Sequence, residues 1–281
     1  MSRLKYFAES LVKTVKPNHI NTCPYCKTIL KNSTVVDTKY AVTKLLECST
    51  CNLLVRTPTD SIIENKEFYQ TAYKHGYTTD CPPLDELKSL KDTNFKDTER
   101  DYSRYIEILK NLGCEENARV VDFGCSWGYG LFQLENAGFN AYGYEISEPR
   151  CRYGRENLNV KALTNPQELP EELDVFFSSH VLEHVPDLKF VFELAFKKLK
   201  PGGLFIAVTP NGSKPFRKKQ PTDFHHLWGQ FHPILLSDDF IKSNFSKELQ
   251  HLGSLPPETA SEIYRKDPDQ YELFFVLKKA A

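Results

Sequence analysis

VVDFGCSWGYG, residues 120–130, is the most informative stretch of this 281-residue chain. Its apolar first half predicts a buried strand, and its glycines predict a tight turn that opens a helix. A turn without bulky side chains lets backbone N–H groups approach a bound ligand closely. The stretch therefore predicts a strand, a turn and a helix, with a ligand site at the turn.

Apolar runs and helical patterns alternate along the chain on both sides of this turn. The predicted strands are ARVVDFG (118–124), FNAYGYEI (139–146), LDVFFSSH (173–180) and GLFIAVTP (203–210), and the predicted helices are 97–112, 128–138, 148–157 and 187–199. The tail YELFFVLKK (271–279) predicts a last strand at the edge of the sheet. Such alternation is typical of β-α units in a parallel sheet, so the predicted fold class is α/β.

Two acidic residues end the first two predicted strands. Asp122 ends the first, and Glu145 ends the second about 20 residues after Gly124. A dinucleotide site prefers G-x-G-x-x-G, whereas this turn reads D-x-G-x-x-x-G-x-G. Asp122 would repel a phosphate and attract a sulfonium or ammonium cation, while Glu145 can accept hydrogen bonds from both ribose hydroxyls. The pattern argues against NAD as the ligand of this turn.

Four ordered motifs resemble those of the class I S-adenosylmethionine-dependent methyltransferases: VVDFGCSWG, AYGYEIS, SSHVLEHVPD and LKPGGLFIAVTPN. The resemblance covers roughly residues 97–277. It implies a Rossmann-like, seven-stranded, mostly parallel sheet with helices on both faces, and S-adenosylmethionine as the cofactor. The alternative is a Rossmann-like domain that binds another nucleoside or nothing, since one fold hosts many functions.

The resemblance also implies which residues contact the cofactor. Asp122 and Gly124 would lie near its methionine part, and Glu145 near its ribose. Asn165 or Gln167, after the third strand, would meet the adenine, with a solvated loop residue as the alternative. The full expected set is Asp122, Gly124, Cys125, Gly128, Glu145, Ile146, Asn165 and His180.

Two close cysteine pairs predict a metal site near the N-terminus. Cys23 and Cys26 are separated by 21 residues from Cys48 and Cys51, and each pair can hold one edge of a tetrahedral ion. Four thiolates leave no open position for water, so a structural zinc ribbon is expected, with redox pairs or an iron site as the alternatives. Similar N-terminal segments occur in bacterial sugar methyltransferases, which this chain resembles.

Composition limits the other classes of protein. The 36 Lys and Arg balance 37 Asp and Glu, so nucleic acid is not an expected partner. The sequence contains no run of about 18 apolar residues, so a membrane span is not predicted. Metal-ligand cysteine spacing and scattered thiols predict a reducing, cytoplasmic setting. The predicted regions are an N-terminal helix at 1–20, a zinc-ribbon-like module at 21–58, a helical connector at 59–96, and a methyltransferase domain at 97–281 with an acceptor-side insertion at about 209–240.

Three histidines are the candidate catalytic residues, because an alcohol acceptor must lose a proton when it is methylated. His180 ends the fourth strand, at the edge where α/β sheets bind ligands, and His184 follows within one helical turn. His232 lies in the aromatic segment DFHHLWGQFHPILLS (223–237). Packing or loop capping is the alternative role for each of them.

A basic run lies in the same insertion and consists of Lys214, Arg217, Lys218 and Lys219. These side chains could bind a phosphate or carboxylate of the acceptor. A solvated charged loop is the alternative.

These features lead to one functional prediction and two alternatives. The prediction is methyl transfer to a hydroxyl or carbon of a small-molecule acceptor, with a nucleotide-linked sugar as the first candidate. A quinone-type or phenolic O-methyltransferase is the second reading. Relatives of that kind can bind a divalent ion through an acid three residues before a Glu-His pair, but here that position is His180, which counts against a metal. An inactive zinc-ribbon adaptor for protein or RNA is the third, and the intact acidic set argues against it.

Overall fold

The computed structural model describes residues 11–13, 21–40, 42–59, 80–255 and 265–281. Most of the predicted N-terminal helix at 1–20 lies outside the described residues. Residues 60–79 of the predicted connector lie outside them as well. The described end of that connector contains one helix, α1, at Leu84–Asp92.

The described residues form strands and helices in an alternating order over most of the chain. The strands are β1 Thr34–Lys39, β2 Thr43–Glu47, β3 Leu54–Thr57, β4 Arg119–Phe123, β5 Asn140–Tyr144, β6 Ala162–Leu163, β7 Leu173–Ser179, β8 Leu199–Pro210, β9 Ile234–Leu235, β10 Leu249–Ser254 and β11 Glu272–Lys278. The helices after α1 are α2 Ser103–Asn111, α3 Tyr129–Asn136, α4 Glu148–Leu158, α5 Leu188–Lys198, α6 Lys214–Lys219, α7 Pro221–Leu227 and α8 Asp238–Phe245.

The larger sheet has seven strands in the order β10-β11-β8-β7-β4-β5-β6. Its pairs from β8 to β6 are parallel, and β11 pairs antiparallel with both β8 and β10. Helices α2, α3 and α4 bury apolar side chains in the core on one face, and α5 and α8 do so on the other. The predicted Rossmann-like, mostly parallel sheet is confirmed.

The C-terminal strand differs from the prediction in its position. It lies between β8 and β10 and not at the edge of the sheet. Its run LFFVL is buried on both faces, which is typical of an interior strand. The edge strand β10, LQHLGS, contains three polar residues and a glycine and no β-branched or aromatic residue, so the sequence did not reveal it.

The N-terminal module and the methyltransferase domain share a second sheet. Strands β1, β2 and β3 form an antiparallel meander, and β9, which lies within the predicted insertion at about 209–240, pairs with β3. Tyr25 of the module makes edge-to-face contacts with Phe192, Phe240 and Phe245 of α5 and α8. The module is therefore packed into the core of the domain through burial of apolar surface.

No helix within the described residues is long and apolar enough to cross a bilayer.

Candidate cofactor and acceptor site

The turn after β4 requires glycine at two positions. Gly124 has φ +92°, and a Cβ built there would lie 2.1 Å from Cγ2 of Val181. Gly128 has φ +85°, and its Cβ would lie 2.7 Å from Cγ2 of Val160. Positive φ is unfavourable for residues with a side chain. Both glycines therefore combine a left-handed backbone with close packing.

The third glycine of the motif makes room for a tyrosine. A Cβ at Gly130 would lie 2.4 Å from the ring of Tyr102, and the hydroxyl of Tyr102 donates a hydrogen bond of 3.1 Å to Oδ2 of Asp122. The sequence analysis did not identify Tyr102, because it precedes Asp122 by 20 residues and belongs to no recognisable motif. Gly130 and Tyr102 together place a hydrogen-bond donor beside the buried carboxylate.

Asp122 is a buried carboxyl group with a strongly shifted pKa. Only 1% of its surface is exposed. Burial, with a smaller contribution from the negative charge of Glu145, raises the pKa of Asp122 to about 7, although the Tyr102 hydrogen bond opposes this shift. A cationic ligand beside Asp122 would favour the ionised form, whereas an anionic ligand would oppose it.

Glu145 forms the second acidic position, at the end of β5. Its Oε1 accepts a hydrogen bond of 2.8 Å from the N–H of Ser147, and burial raises the pKa of Glu145. Ser126, in the turn, has φ +51°, and its buried Oγ has no hydrogen-bond partner among the described residues. Buried polar atoms are normally paired, so this hydroxyl indicates a polar ligand at the turn.

Two residues of the expected cofactor set have other contacts. Asn165 is exposed and caps a short 3-10 helix, where its Oδ1 accepts from the N–H of Gln167 at 3.1 Å. Cys125 is buried, and its Sγ would lie 2.4 Å from a Cβ on Gly143. The side chain of Cys125 therefore packs in the core, and only its backbone can face a ligand. The role of Asn165 toward adenine stays a prediction.

His180 lies between two carboxylates at the end of β7. Its Nε2 is 2.7 Å from Oε1 of Glu272, and its Nδ1 is 3.7 Å from Oε1 of Glu183. These carboxylates raise the pKa of His180 to about 10, against the opposing effect of burial. A raised pKa favours the protonated imidazole, which has no lone pair for a substrate proton. These contacts count against a role of His180 as general base, and that role stays a prediction.

The other two candidate histidines lie together with Glu183. Nδ1 of His184 contacts the carbonyl oxygen of Phe231 at 2.5 Å, and Nδ1 of His232 contacts that of Leu227 at 2.6 Å. Because a carbonyl oxygen only accepts, the Nδ1 atom of each ring carries a proton and donates it. The two ring centroids are 4.9 Å apart. We call Glu183, His184 and His232 the histidine cluster.

The shared second sheet holds His232 in place. The N–H of Arg56, in β3, donates to the carbonyl of Pro233 at 2.7 Å, and β9 follows directly. The carbonyl of His232 itself accepts from the N–H of Gly229 at 3.1 Å. The N-terminal module thereby fixes the segment that brings His232 to Glu183 and His184.

The predicted basic run is largely paired with carboxylates. Lys214 lies 2.7 Å from Asp239, Arg217 lies 3.2 Å from Glu47 and Lys219 lies 2.7 Å from Asp269. These ion pairs offset the charge that was expected to bind an acceptor anion. The prediction of an anion site therefore loses most of its basis.

The four cysteines of the N-terminal module come together. The Sγ atoms of Cys23 and Cys51 are 3.5 Å apart, as are those of Cys26 and Cys48. All four sulfurs lie within 4.8 Å of one another. Tetrahedral zinc with sulfur at about 2.3 Å places sulfurs about 3.8 Å apart. We call this group the cysteine cluster, and its donor set and spacing fit a zinc ion.

The two halves of the cysteine cluster have matching backbone turns. Lys27 follows the first pair with φ +62°, and Asn52 follows the second with φ +63°. The N–H of Lys27 donates to the carbonyl of Cys23 at 3.0 Å, and the N–H of Asn52 donates to that of Cys48 at 2.9 Å. Two like turns that present thiols to one point are typical of a structural tetrahedral site.

The methyltransferase domain family matches residues 97–253 of this chain. This match covers more than half of the sequence, and it includes the glycine turn and both acidic positions. The chain belongs to this family. Together with the seven-stranded sheet, the match identifies the class as the class I S-adenosylmethionine-dependent methyltransferases.

Curated relatives share a limited part of the chain. A ubiquinone biosynthesis O-methyltransferase of Hydrogenovibrio crunogenus is 31% identical over 116 residues, which cover 38% of this chain and 48% of that protein. A sterol 4-C-methyltransferase of Caenorhabditis elegans is 26% identical over 139 residues, 44% of this chain and 42% of that protein. The chain thus spans about half the length of the curated relatives it matches.

A solved structure supports the fold. The geranyl diphosphate C-methyltransferase of Streptomyces coelicolor, determined with Mg²⁺, geranyl diphosphate and S-adenosyl-L-homocysteine, superposes with a TM-score of 0.52. The alignment covers 77% of this chain and 98% of that one, at 14% sequence identity. At this identity the similarity concerns the fold alone.

Proposed function

We propose that this protein transfers a methyl group from S-adenosylmethionine to a hydroxyl group of a small acceptor. The observation that carries the proposal is the pair of buried carboxylates, Asp122 and Glu145, at the ends of adjacent parallel strands beside a glycine turn. Open α/β sheets bind ligands at this edge. A positively charged nucleoside suits two acidic groups there, while a nucleoside phosphate does not.

Each part of the cofactor has a matching group in this proposal. Asp122 accepts from the amino group of the methionine part, and Gly124 lets that part approach the backbone. Glu145 accepts from the ribose hydroxyls, and Ser126 offers its unpaired hydroxyl to a polar atom of the nucleoside. Both buried carboxyl groups would gain a partner when the cofactor binds, which offsets the cost of their burial.

The acceptor is proposed to lie against the histidine cluster. Val181 packs over Gly124 and stands two residues before Glu183, so Glu183 follows closely in sequence a residue that contacts the cofactor turn. Methyl transfer is a displacement in line with the sulfonium bond, and alignment of the acceptor supplies much of the rate. Among the three candidate histidines, His184 and His232 each donate Nδ1–H to a backbone carbonyl and are the proposed bases for the hydroxyl proton. His180 serves as a positively charged partner of Glu183 and Glu272.

Two acceptor classes follow from this proposal. The nucleotide-linked sugar rests on resemblance to bacterial sugar methyltransferases, and the paired basic run weakens it. The phenolic or quinone-type acceptor is supported by the names of curated relatives that share the motif region. Both classes offer a hydroxyl as the attacking atom.

Mass spectrometry of acceptors incubated with the protein and S-adenosylmethionine tests the proposal. Equal panels of nucleotide sugars and of catechols should be scored for a gain of one methyl group, with the Glu145→Ala variant as the control. If the wild type methylates one panel and the Glu145→Ala variant does not, the result supports the function and identifies the acceptor class. If neither panel, nor a wider hydroxyl library, gains a methyl group, the hydroxyl-acceptor proposal is wrong.

We also propose that the cysteine cluster holds one structural zinc ion. Four thiolates at matching turns close the coordination sphere, so the ion would stabilise the module and take no part in catalysis. Metal analysis of purified protein should find zinc at this site. If iron is found at this site, the ion is not zinc as proposed. A folded protein without bound metal would contradict the proposal as a whole.

A further inference from the structure

We infer that Tyr102 is a positioning residue of the cofactor site: its hydroxyl holds Oδ2 of Asp122 and leaves Oδ1 to accept from the amino group of the cofactor. The inference rests on the proposed function and deepens it, because it states how the acidic position is kept ready for the cofactor. Tyr102 lies directly before α2, and its hydroxyl oxygen is 3.1 Å from Oδ2. Within the described part of the chain, it is the one side chain that forms a hydrogen bond with this carboxylate.

The direction of this hydrogen bond follows from the chemistry of the two groups. Burial raises the pKa of Tyr102 above its ordinary value, so the hydroxyl keeps its proton. A carboxylate only accepts, and therefore Tyr102 donates to Asp122. Hydrogen bonds to an ionised acceptor are roughly twice as strong as those between neutral groups. Tyr102 therefore favours the ionised form of Asp122, which is the form that attracts the positively charged amino group of the cofactor.

The aromatic ring of Tyr102 is held in place by its neighbours. It makes edge-to-face contacts with Tyr105, Tyr129 and Phe177, whose ring centroids lie 5.1, 5.6 and 6.1 Å away. On another side, a Cβ built at Gly130 would lie 2.4 Å from the ring. Close packing of this kind leaves the ring little freedom. The hydroxyl group therefore has a fixed position.

The backbone of Tyr102 is tied to the helix that the glycine turn opens. Gln133, in α3, is 0% exposed, and its Oε1 accepts from the N–H of Tyr102 at 2.8 Å. Its Nε2 donates to the carbonyl oxygens of Arg100 at 2.8 Å and of Tyr129 at 3.0 Å. A buried polar network whose members are paired makes the structure around it rigid. The starts of α2 and α3 are thereby joined, and Tyr102 keeps its place relative to the turn.

Among the described neighbours of Asp122, Tyr102 is the one that stabilises its charge. Burial and, to a smaller extent, the negative charge of Glu145 raise the pKa of Asp122. Burial also raises the pKa of Cys125 in the turn, so this thiol stays neutral. Tyr129, at the start of α3, packs against the ring of Tyr102, and the β7 partner of Asp122 is a phenylalanine. Removal of the Tyr102 hydroxyl should therefore move the ionisation of Asp122 toward higher pH.

The test is calorimetric titration of the purified full chain with S-adenosylhomocysteine at about pH 6 and about pH 8.5. Tyr102→Phe keeps the ring and removes the hydroxyl, so proton release from Asp122 should become about 10-fold less favourable. The cofactor selects the ionised carboxylate. The variant should therefore bind about 10-fold more weakly than the wild type at about pH 6, and about 2-fold or less at about pH 8.5. The ratio of the two affinities at one pH removes the titration of the ligand itself.

Tyr105→Phe is the matched control, because it removes a hydroxyl from the same aromatic cluster that accepts from Ser179 at 3.0 Å. Its affinity should equal that of the wild type at both pH values. A binding stoichiometry near one at about pH 8.5 shows that a variant is folded. A ratio for Tyr102→Phe that does not change with pH, or an equal change in Tyr105→Phe, would overturn the inference alone. A wild type that binds no S-adenosylhomocysteine would overturn both the inference and the proposed function.

Discussion

The cofactor edge and the histidine cluster lie at the same end of the sheet but are built differently. At the cofactor edge, Asp122 and Gly124 follow one strand directly and Glu145 ends the next, so one β-α-β unit contains the main elements. The histidine cluster joins Glu183 and His184 to His232, 48 residues later, and it depends on a sheet that the N-terminal module completes. A site built from one supersecondary unit is visible in a sequence, whereas a site built from remote segments is not.

The cysteine cluster should have the largest effect, because it supports the module that positions His232. Cys48→Ser should lose the bound metal and several kcal/mol of stability, since structural zinc contributes roughly 10 kcal/mol or more to small modules. For a chain of this size, about 5 kcal/mol corresponds to a fall in Tm of 10 °C or more. Thermal unfolding with metal analysis measures both. Cys81→Ser, at an exposed thiol, is the control and should behave like the wild type.

Gly124→Ala tests whether close packing defines the cofactor edge. The added methyl group would overlap Val181, so the turn must shift and the affinity for S-adenosylhomocysteine should fall by about 100-fold or more. Gly113→Ala is the matched control, because Gly113 has φ +84° and nothing within 4 Å of a built Cβ. Both variants should lose about 1 to 2 kcal/mol of stability from the left-handed backbone. Equal cofactor affinity in the two variants would show that packing at Gly124 is unimportant.

The Asp122→Asn variant separates the effect of the buried carboxyl group on stability from its role in cofactor binding. In the folded protein the pKa of the Asp122 carboxyl group is about 7, whereas the ordinary value is 3.8. The folded protein therefore binds this proton more tightly than the unfolded chain does. Folding is therefore favoured at low pH, and this contribution is lost as the pH rises from about 4 to 7. At about 1.4 kcal/mol per tenfold change, the amide variant should gain up to about 4 kcal/mol relative to the wild type by pH 8. Urea unfolding at several pH values measures the difference.

The same variant should bind the cofactor more weakly. A constant difference in stability from pH 4 to 8 would contradict the raised pKa of Asp122. Unchanged affinity for S-adenosylhomocysteine would contradict its role at the cofactor edge.

The basic run should have the smallest effect. Lys219→Ala removes an exposed ion pair with Asp269, and such pairs contribute about 0 to 1 kcal/mol. Its Tm and its KM for any acceptor found should stay close to wild-type values. A large rise in KM would restore the acceptor-anion prediction.

Much of the fold was predictable because its physical signals are local. The strand and turn at residues 118–130 combine apolar runs with glycine, and buried parallel strands read as continuous apolar runs. The interior place of LFFVL could have been inferred by the same rule. The edge strand LQHLGS carries no such signal, and neither does the two-residue strand β9, whose pairing with β3 depends on a tertiary contact.

The sites follow the same division. The cysteine spacing predicted a cluster, and the structure brings the four sulfurs together. Tyr102 was missed because no motif joins it to Asp122. The sequence pattern offered His180 as a candidate base, but its contact with Glu272, at the start of β11, depends on the strand order and could not be read in advance.

Calorimetric titration with S-adenosylhomocysteine tests the central claim most directly, because it needs no knowledge of the acceptor. The wild type should bind one equivalent, and Glu145→Ala should lose most of that affinity. Glu148→Ala, three residues away on the exposed start of α4, should bind like the wild type. No binding by the wild type, or equal affinity in Glu145→Ala and Glu148→Ala, would contradict the assignment of the cofactor site and would favour an adaptor with an inactive methyltransferase fold.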